Sequence, residues 1–340
     1  MISPLFNQLL LPFILSMFLA MNMGGSGVAP AFSAAFGSRT LRRGAIPGLF
    51  GIMVFLGAII AGKAVATTMG KSIIPTEMMS INLTSIILIS ISLSLLLANV
   101  LGVPQSTSQS AVFALSGPAI FFNVINYKLI ITEIIPTWFF LPIIAFAISY
   151  FFGKTFLKKE RKINNPSTFH FFRGLVIFTS LYVAFAIGAN NVANASGPIA
   201  SMVINELNIK DQGNHFILIM IMSTLVVAPS FGIGSSLFGR KVLQSTGQEI
   251  IDLGPKTAAF ISIITASLLL GASIFKGIPT SLVQLNTASI LGIGIARYGK
   301  KEILQKSTVK KFWYVWIIAP FFALFLSIGL TAIAYYFGII

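Results

Sequence analysis

The sequence has no cysteine and little charge: of its 340 residues, none is Cys and 9% are Asp, Glu, Lys or Arg. The absence of cysteine excludes a disulfide framework and a thiolate metal site. Soluble domains usually have about a quarter of their residues charged. The eight carboxylates lie nearly all in loops between apolar runs. These shortages argue against a soluble protein.

Apolar residues, in contrast, make up 56% of the chain, and its mean hydropathy is +0.91. Long, weakly charged apolar runs recur along it, which is typical of a polytopic helical membrane protein. The formal net charge of +15 would suit nucleic acid, but the basic residues lie in short loops between apolar runs. The positive-inside effect explains that distribution better. We therefore expect a lipid bilayer, and no nucleic acid, as partner. No cleavable signal is expected at the first run, 5–23, because no basic region precedes it.

Two polar motifs occur twice, in the same order. The first motif, Gly24–Ala31, matches Gly188–Ala195 at a shift of 164 residues. The second, Gly102–Gln109, matches Gly277–Gln284 at a shift of 175, and both copies read Gly-(Val/Ile)-Pro-x-Ser-x-x-Gln. Two matches in order and at similar shifts predict that the chain is duplicated.

We predict an all-α polytopic membrane protein with two inverted-topology repeats of about five spans each. The first repeat covers 1–153, a basic cytoplasmic linker covers 154–172, and the second, inverted repeat covers 173–340. This topology places 18 basic residues in cytoplasmic loops and three outside, as the positive-inside rule requires. Both termini then lie outside. The first span is expected at about 4–23, and stretch 24–36 is too short and too rich in helix breakers for a second span. The start of 188–198 looks non-helical, and broken or re-entrant helices at 102–109 and 277–284 are expected to meet at the midplane.

The second copy of the first motif puts Asn190, Asn191 and Asn194 into sequence that otherwise looks lipid-buried. An unpaired amide in hydrocarbon costs several kcal/mol, so each of these side chains needs a partner. For a single Asn, a hydrogen bond across a close helix interface would be sufficient explanation. Three in five positions favour a solute site.

The two copies of the second motif place hydroxyl groups and a proline where a helix begins. Pro104 and Pro279 suit a first helical turn, and the neighbouring Ser and Thr residues suit the cap. Two such helices in opposed orientation would direct free N–H groups and positive dipole ends at one point, which favours an anion. In one motif the hydroxyls would be explained as simple caps. None of the four polar motifs contains a carboxylate, so an anion fits better than a cation.

At these residues the sequence resembles the inorganic phosphate transporter (PiT) family. That family has Gly-Ala-Asn-Asp-x-Ala-Asn-Ala in each half, followed by a Gly-x-Pro-x-Ser-Thr-Thr-type motif. Here Asn191 replaces the Asp of the second half, and Ser26, Gly27 and Pro30 stand where the first half has Asn, Asp and Asn. The resemblance covers nearly the whole chain and is greatest to the short sulfate permeases of the CysP type. It implies sulfate uptake, ten or more spans in inverted repeats, and a homodimer in the plasma membrane.

The departures from the family motif bear on the transported ions. In sodium-coupled members the Asp residues help to hold Na⁺, a cation that prefers oxygen ligands including carboxylate; Gly27 and Asn191 supply none. Sulfate is a dianion that only accepts hydrogen bonds, so the loss of both carboxylates fits sulfate. We therefore predict a proton-coupled secondary transporter (permease) that imports inorganic sulfate, without cofactor or metal. No proton carrier is evident, since His170, His215 and Glu133 lie near span ends.

The predicted anion site combines one segment from each motif copy, namely Ser26, Gly27, Ser106, Thr107, Ser108, Gln109, Asn190, Asn191, Asn194, Thr280, Ser281 and Gln284. The two Gln residues would either close capping boxes or reach the anion. A sodium-coupled phosphate symporter is the alternative function, and an anion channel would share the selectivity. An enzyme is disfavoured, because the sequence has no His-Glu-x-x-His, no nucleophile elbow and no cluster of intramembrane acids.

Overall fold

The computed structural model describes residues 4–37, 40–103, 105–156, 166–209, 214–239, 243 and 254–340. Every regular element in these ranges is helical. Eight helical segments among them are long and apolar enough to cross a membrane. The all-α membrane fold predicted from hydropathy is therefore confirmed. Residues 157–165 of the predicted linker, and Pro104, lie outside the described residues.

Long helices and short continuation helices alternate along the chain. In the first half they are α1 Pro4–Gly37, α2 Ile46–Ala61, α3 Lys63–Thr67, α4 Ile81–Leu101, α5 Thr107–Phe121, α6 Tyr127–Leu129 and α7 Ile135–Phe156. In the second half they are α8 Pro166–Asn191, α9 Ala193–Glu206, α10 Asn214–Val227, α11 Pro229–Leu237, α12 Pro255–Gly271, α13 Leu282–Tyr298, α14 Lys300–Leu304 and α15 Ser307–Tyr336. One π-helical turn each extends α3 to Ser72, links α6 to α7, and extends α12 to Lys276.

Large apolar side chains cover much of the outside of this bundle. Phe139, Phe140 and Ile143 on α7 are each at least 60% exposed, and Phe275 is 85% exposed. Exposing these apolar side chains to water would be unfavourable, whereas the hydrocarbon of a membrane solvates them. The interior contains apolar side chains such as Phe32 and Phe50 together with many hydroxyl and amide groups, and residues of all four polar motifs are buried there.

The first copy of the first motif does not end its helix, although the first span was expected to end near residue 23. Helix α1 continues through it to Gly37, with Pro30 inside. The glycines serve packing: a Cβ at Gly24 would overlap the carbonyl of Phe231, and one at Gly234 would overlap that of Met21. Small residues let α1 and α11 touch at the backbone, and membrane helices tolerate Pro and Gly where neighbouring helices support them.

The second copy is also more helical than predicted. Helix α8 continues through Asn191, and only Val192 separates it from α9. Val192 itself has helical angles, φ −59° and ψ −33°. The expectation of a non-helical start was therefore wrong. The span that begins with α2 is divided by Gly62 between α2 and α3 and continues to Ser72.

Hydrogen bonds between distant segments define two faces of the bundle. At the first face, the Asn126 amide donates to the Ser72 carbonyl (3.0 Å) and the Glu206 carboxylate accepts from the Ile81 N–H (2.8 Å). The C-terminus lies there too, since Asn82 donates to the carbonyl of residue 339. These contacts bring the ends of α3, α5, α9 and α15 to one side.

At the second face, the Arg173 guanidinium donates to the Thr40 carbonyl (3.4 Å) and that of Arg297 to the Thr257 hydroxyl (3.3 Å). Helix α5 thus runs from the interior to the first face, and α13 from the interior to the second. The two broken helices have opposite directions, as the predicted inverted repeats require. Which face is cytoplasmic remains a prediction from the basic loops.

Candidate functional site

Both broken helices begin with the same local geometry. Gly102 and Gly277 have φ values of +69° and +62°, a left-handed conformation that side chains with a Cβ disfavour. Ser106 and Ser281, whose backbones are extended, cap α5 and α13 by accepting the N–H three residues later at 3.3 Å. The predicted serine caps are confirmed, whereas Pro279 lies before the Ser281 cap and not in the first turn of α13. The first-turn amides that remain, in α5 and in α13, have no acceptor within their own helix.

The first turns of the two broken helices meet through a pair of glutamines. The Gln109 Nε2 donates to Gln284 Oε1 at 3.1 Å, and Gln284 Nε2 donates to Gln109 Oε1 at 2.9 Å. The side chains therefore do not close capping boxes, one of the two possibilities that the sequence left open. Because α5 and α13 come from opposite faces, this reciprocal amide pair places both helix N-termini at one point inside the bundle.

Asn190 connects the two breaks. Its Oδ1 accepts from the Ser108 hydroxyl (3.1 Å) and from the Thr280 N–H (3.0 Å). Its Nδ2 donates to the Ser273 hydroxyl (2.8 Å) and to the Ile278 carbonyl (3.1 Å). The side chain is fully buried and its hydrogen-bonding capacity is used within the protein. In this conformation Asn190 positions the broken helices.

Asn194 lies one turn further along, behind the same hydroxyl. Its Nδ2 donates to Ser108 Oγ at 3.3 Å and approaches the Met23 sulfur at 4.0 Å, while its Oδ1 has no hydrogen-bond partner. Ser108 thus bridges both amides. The second break is held in addition by Trp138, whose indole N–H donates to the Pro279 carbonyl at 2.8 Å.

A small cavity of about 10 Å³ lies where α1, α8 and the two broken helices meet. That volume holds about one water molecule, so a tetrahedral oxyanion fits only after the walls move apart. The described residues that line it are uncharged: Ser26, Gly27, Pro30, Gln105, Thr107, Ile187, Asn191, Ser281, Leu282 and Val283. The helix N-termini are the positive ends of the two dipoles. The cavity therefore combines positive potential with a lining that carries no carboxylate.

The structure divides the twelve predicted site residues into two groups. Five line the cavity: Ser26, Gly27, Thr107, Asn191 and Ser281. The remaining seven, Ser106, Ser108, Gln109, Asn190, Asn194, Thr280 and Gln284, form the caps and hydrogen bonds behind it. The prediction thus names residues of one connected region. Their contact with a transported anion remains a prediction.

Gln105 lines the cavity and was absent from the predicted set. Its Nε2 donates to the hydroxyls of Ser94 and Ser110. Ser94 gives its own proton to the Ala319 carbonyl at 2.8 Å, so it must accept from Gln105, and this fixes the orientation of the amide. The Gln105 Oε1 is then left buried without a partner, as is Asn191 Oδ1. The sequence signal was available, because Gln105 and Thr280 hold the same position in the two motif copies.

Acidic metal ligands are not gathered at this site. In the described ranges no group of three His, Cys, Asp or Glu side chains could hold a metal ion. Any cation in the cavity would have to use neutral amide, hydroxyl and carbonyl oxygens.

Fold and site together define a membrane transporter in which two opposed broken helices direct their N-termini at a buried site between two halves. The model of the phosphate transporter family matches residues 23–162 and 153–327. The chain belongs to this family.

Individual relatives carry different substrate names. The sulfate permease CysP of Bacillus subtilis is 32% identical over 323 residues, covering 94% of this chain and 86% of that protein. A probable low-affinity inorganic phosphate transporter of the same organism is 27% identical over 295 residues, covering 85% of this chain and 84% of that protein. A solved structure, the sodium-dependent phosphate transporter, superposes with a TM-score of 0.82 at 22% identity, over 97% of this chain and 99% of that one. The last comparison shows the fold.

Proposed function

We propose that this chain is a permease that imports inorganic sulfate by alternating access. One observation carries the proposal: two helix N-termini from opposite faces meet beside a cavity whose described lining contains no carboxylate. The unpaired N–H groups and dipole ends of α5 and α13 stabilise negative charge. A fully ionised dianion accepts hydrogen bonds and donates none, and a carboxylate at this point would repel it.

The residues at the two family Asp positions support this substrate. Gly27 and Asn191 both line the cavity, so both replacements of a family Asp fall where an anion would lie. The relative named as a sulfate permease also matches more of the chain, at higher identity, than the phosphate transporter of the same organism. Proton coupling is part of the proposal, although no titratable residue lines the described cavity.

The cavity size bears on the transport cycle. Because the cavity is too small for a tetrahedral oxyanion, binding requires the walls formed by α1, α8, α5 and α13 to separate. The Gln109–Gln284 pair joins the two broken helices, so its amide hydrogen bonds would break as they separate. Each Nε2 would then be free to donate to the anion. We propose that one part of each protomer rocks against the rest to expose the site alternately, and that two protomers form a homodimer in the plasma membrane.

Phosphate is the second candidate, because two orphaned acceptors favour it. Gln105 Oε1 and Asn191 Oδ1 are buried at the cavity without a donor, and leaving such groups unpaired costs about 1–3 kcal/mol each. Hydrogen phosphate has a hydroxyl that can donate to them, whereas sulfate would need a bridging water. Sodium is a further possible partner of these two oxygens, in a sodium-coupled phosphate symporter.

Uptake into proteoliposomes distinguishes these candidates. Labelled sulfate and labelled phosphate are each supplied with an inward Na⁺ gradient, an inward acid gradient, or neither. We expect sulfate uptake that does not depend on the Na⁺ gradient and that increases with the inward acid gradient. Phosphate uptake that requires Na⁺ would show that the orphaned carbonyls, and not the missing carboxylates, decide the substrate.

A matched pair of variants places the site. Asn191→Asp puts a charge into the cavity, and Asn208→Asp makes the same change in an exposed turn at the first face. Uptake should fall in the first variant alone. Equal loss in both would contradict the assignment of this cavity to the transported anion.

A further inference from the structure

A second, larger crevice lies beside the second break and contains two lysines. Its volume is about 600 Å³, and Lys63, Lys276 and Gly277 are among its lining residues. Both lysine side chains are exposed, and no carboxylate belongs to the described lining. Neither lysine contributes to the central site. An ammonium group within a span is costly to place and usually has a functional reason.

Both lysines lie on the side of the first face. Lys63 opens α3 and precedes Ser72, a first-face residue, by nine residues, or about 13 Å of helix. Lys276 closes the turn after α12, which starts at the second face, 21 residues or about 31 Å earlier. A hydrocarbon core is about 30 Å thick. The crevice is therefore reached from the face that the basic loops predict to be external.

The crevice adjoins the segment that leads to the central cavity. Helix α3 packs on the break, because a Cβ at Gly277 would lie 2.9 Å from the Ala64 carbonyl. Gly277–Ser281 is the non-helical segment that leads from the turn after α12 to α13. Lys276 precedes its first residue, and its last residue, Ser281, lines the central cavity. Such a segment reaches at most about 17 Å.

From this placement we propose that the crevice is an external capture site for oxyanions, in which Lys63 and Lys276 hold the anion before it enters the central cavity. The proposal rests on the proposed transport of an oxyanion and holds for sulfate or phosphate. Two cations in a low-dielectric groove raise the local anion concentration and the rate of capture, and salt screens this effect. A headgroup phosphate of an anionic lipid has the same chemistry, but the continuity with the break favours the free anion.

The absence of cysteine provides a direct test. Thr67 lines the crevice and is partly exposed, so Thr67→Cys introduces the only thiol of the protein. Its rates of modification by a sulfonate-bearing and a trimethylammonium-bearing methanethiosulfonate are compared in proteoliposomes at low ionic strength. We expect Lys63→Gln/Lys276→Gln to lower the ratio of the two rates on the order of tenfold. Lys128→Gln, an exposed first-face lysine outside the crevice, should leave it unchanged.

Added anions separate the two possible sources of the ligand. Sulfate or phosphate, at ionic strength matched with chloride, should slow the modification of Thr67→Cys and lose that effect once both lysines are replaced. The proposal would be overturned if the ratio of the two modification rates did not change when both lysines are replaced. The proposal would also be overturned if free anions did not slow the modification of Thr67→Cys, but replacing phosphatidylcholine with phosphatidylglycerol in the vesicles did. That result would assign the crevice to lipid.

Transport kinetics give an independent reading. In Lys63→Gln/Lys276→Gln the KM for uptake should rise several-fold at low salt with kcat unchanged, and the difference should shrink in high salt. A fall in kcat with KM unchanged would overturn the proposal. Thiol modification does not depend on transport, so failure of sulfate uptake and failure of anion capture are distinguishable.

Discussion

Replacing Asn190 by alanine should weaken the junction of the two broken helices. In the native protein the Asn190 amide makes four hydrogen bonds, to Ser108, Ser273, Ile278 and Thr280, and it is fully buried. Alanine would leave the backbone N–H of Thr280 without this acceptor, whereas the Ile278 carbonyl would keep the hydrogen bond that it accepts from the Thr280 hydroxyl. The Ser273 hydroxyl would keep its bond to the Leu269 carbonyl, and the Ser108 hydroxyl can rotate to another acceptor.

The size of the effect follows from how buried polar groups behave. A buried donor or acceptor left without a partner costs about 1–3 kcal/mol in soluble proteins, whereas hydrogen bonds between membrane helices average about 0.6 kcal/mol. The unpaired Thr280 N–H should dominate, because the Ile278 carbonyl keeps one donor. We expect Asn190→Ala to lower the free energy of unfolding by roughly 1–3 kcal/mol.

Thermal unfolding in detergent, followed by tryptophan fluorescence, measures this loss. Asn194→Ala is the matched control, because Asn194 makes a single hydrogen bond to oxygen and leaves its own carbonyl unpaired. Its unfolding temperature should fall much less. The reasoning is refuted if Asn190→Ala has the same unfolding temperature as the wild-type protein but loses uptake. Asn190 would then act on the anion directly.

Three further changes test the cavity and its surroundings. Gln109→Leu and Gln284→Leu, alone and combined, should show a coupling free energy of about 1 kcal/mol in unfolding measurements; strictly additive losses would contradict the reciprocal amide pair. Asn191→Asp should reduce kcat/KM for labelled sulfate at least about tenfold, because a carboxylate beside a dianion costs several kcal/mol even at moderate dielectric; an unchanged value would remove the cavity from the anion's path. Gly57→Ala should abolish monodisperse expression, since its Cβ would overlap a carbonyl of α8, whereas Gly48→Ala on the same helix faces open space and should behave like the wild type.

The two breaks were predictable because their signals are local. A glycine with positive φ and a serine cap at the start of a helix depend on a few neighbouring residues. Ser106 and Ser281 form the predicted caps, and Gly102 and Gly277 have the positive φ that glycine allows. The predicted convergence of the two helices is likewise supported by the direct contact of their first turns. The order and spacing of the motifs were therefore sufficient to predict both breaks and the convergence of α5 and α13.

The first motif was harder to interpret because its residues act through tertiary partners. The glycines and Pro30 in α1 look like helix breakers, but close contact with α11 keeps the helix intact. The sequence also does not indicate that the Asn190 amide hydrogen-bonds to protein groups while Asn191 faces the cavity. These two residues are adjacent, and their orientation on α8 decides which role each has.

The two copies of the first motif have diverged in the way each break is supported. In the second half, the Asn190 side chain reaches the break directly and bonds to Thr280 and Ile278. Its counterpart in the first half is Ser26, whose short hydroxyl donates to the Met23 carbonyl within its own helix. The first break is supported instead by Gln105, which bonds within the hairpin of α4 and α5.

This asymmetry predicts which broken helix can move with less disruption. The second break is tied to α8 through Asn190 and to α7 through Trp138. The first break carries its Gln105 support with it, and its hydrogen bonds to Asn190 on α8 and Asn194 on α9 pass through the hydroxyl of Ser108. Breaking one hydroxyl bridge and the Gln109–Gln284 pair costs less than breaking the backbone contacts of Asn190. Alternating access should therefore displace α5 more readily than α13, and Ser108→Ala should ease that displacement.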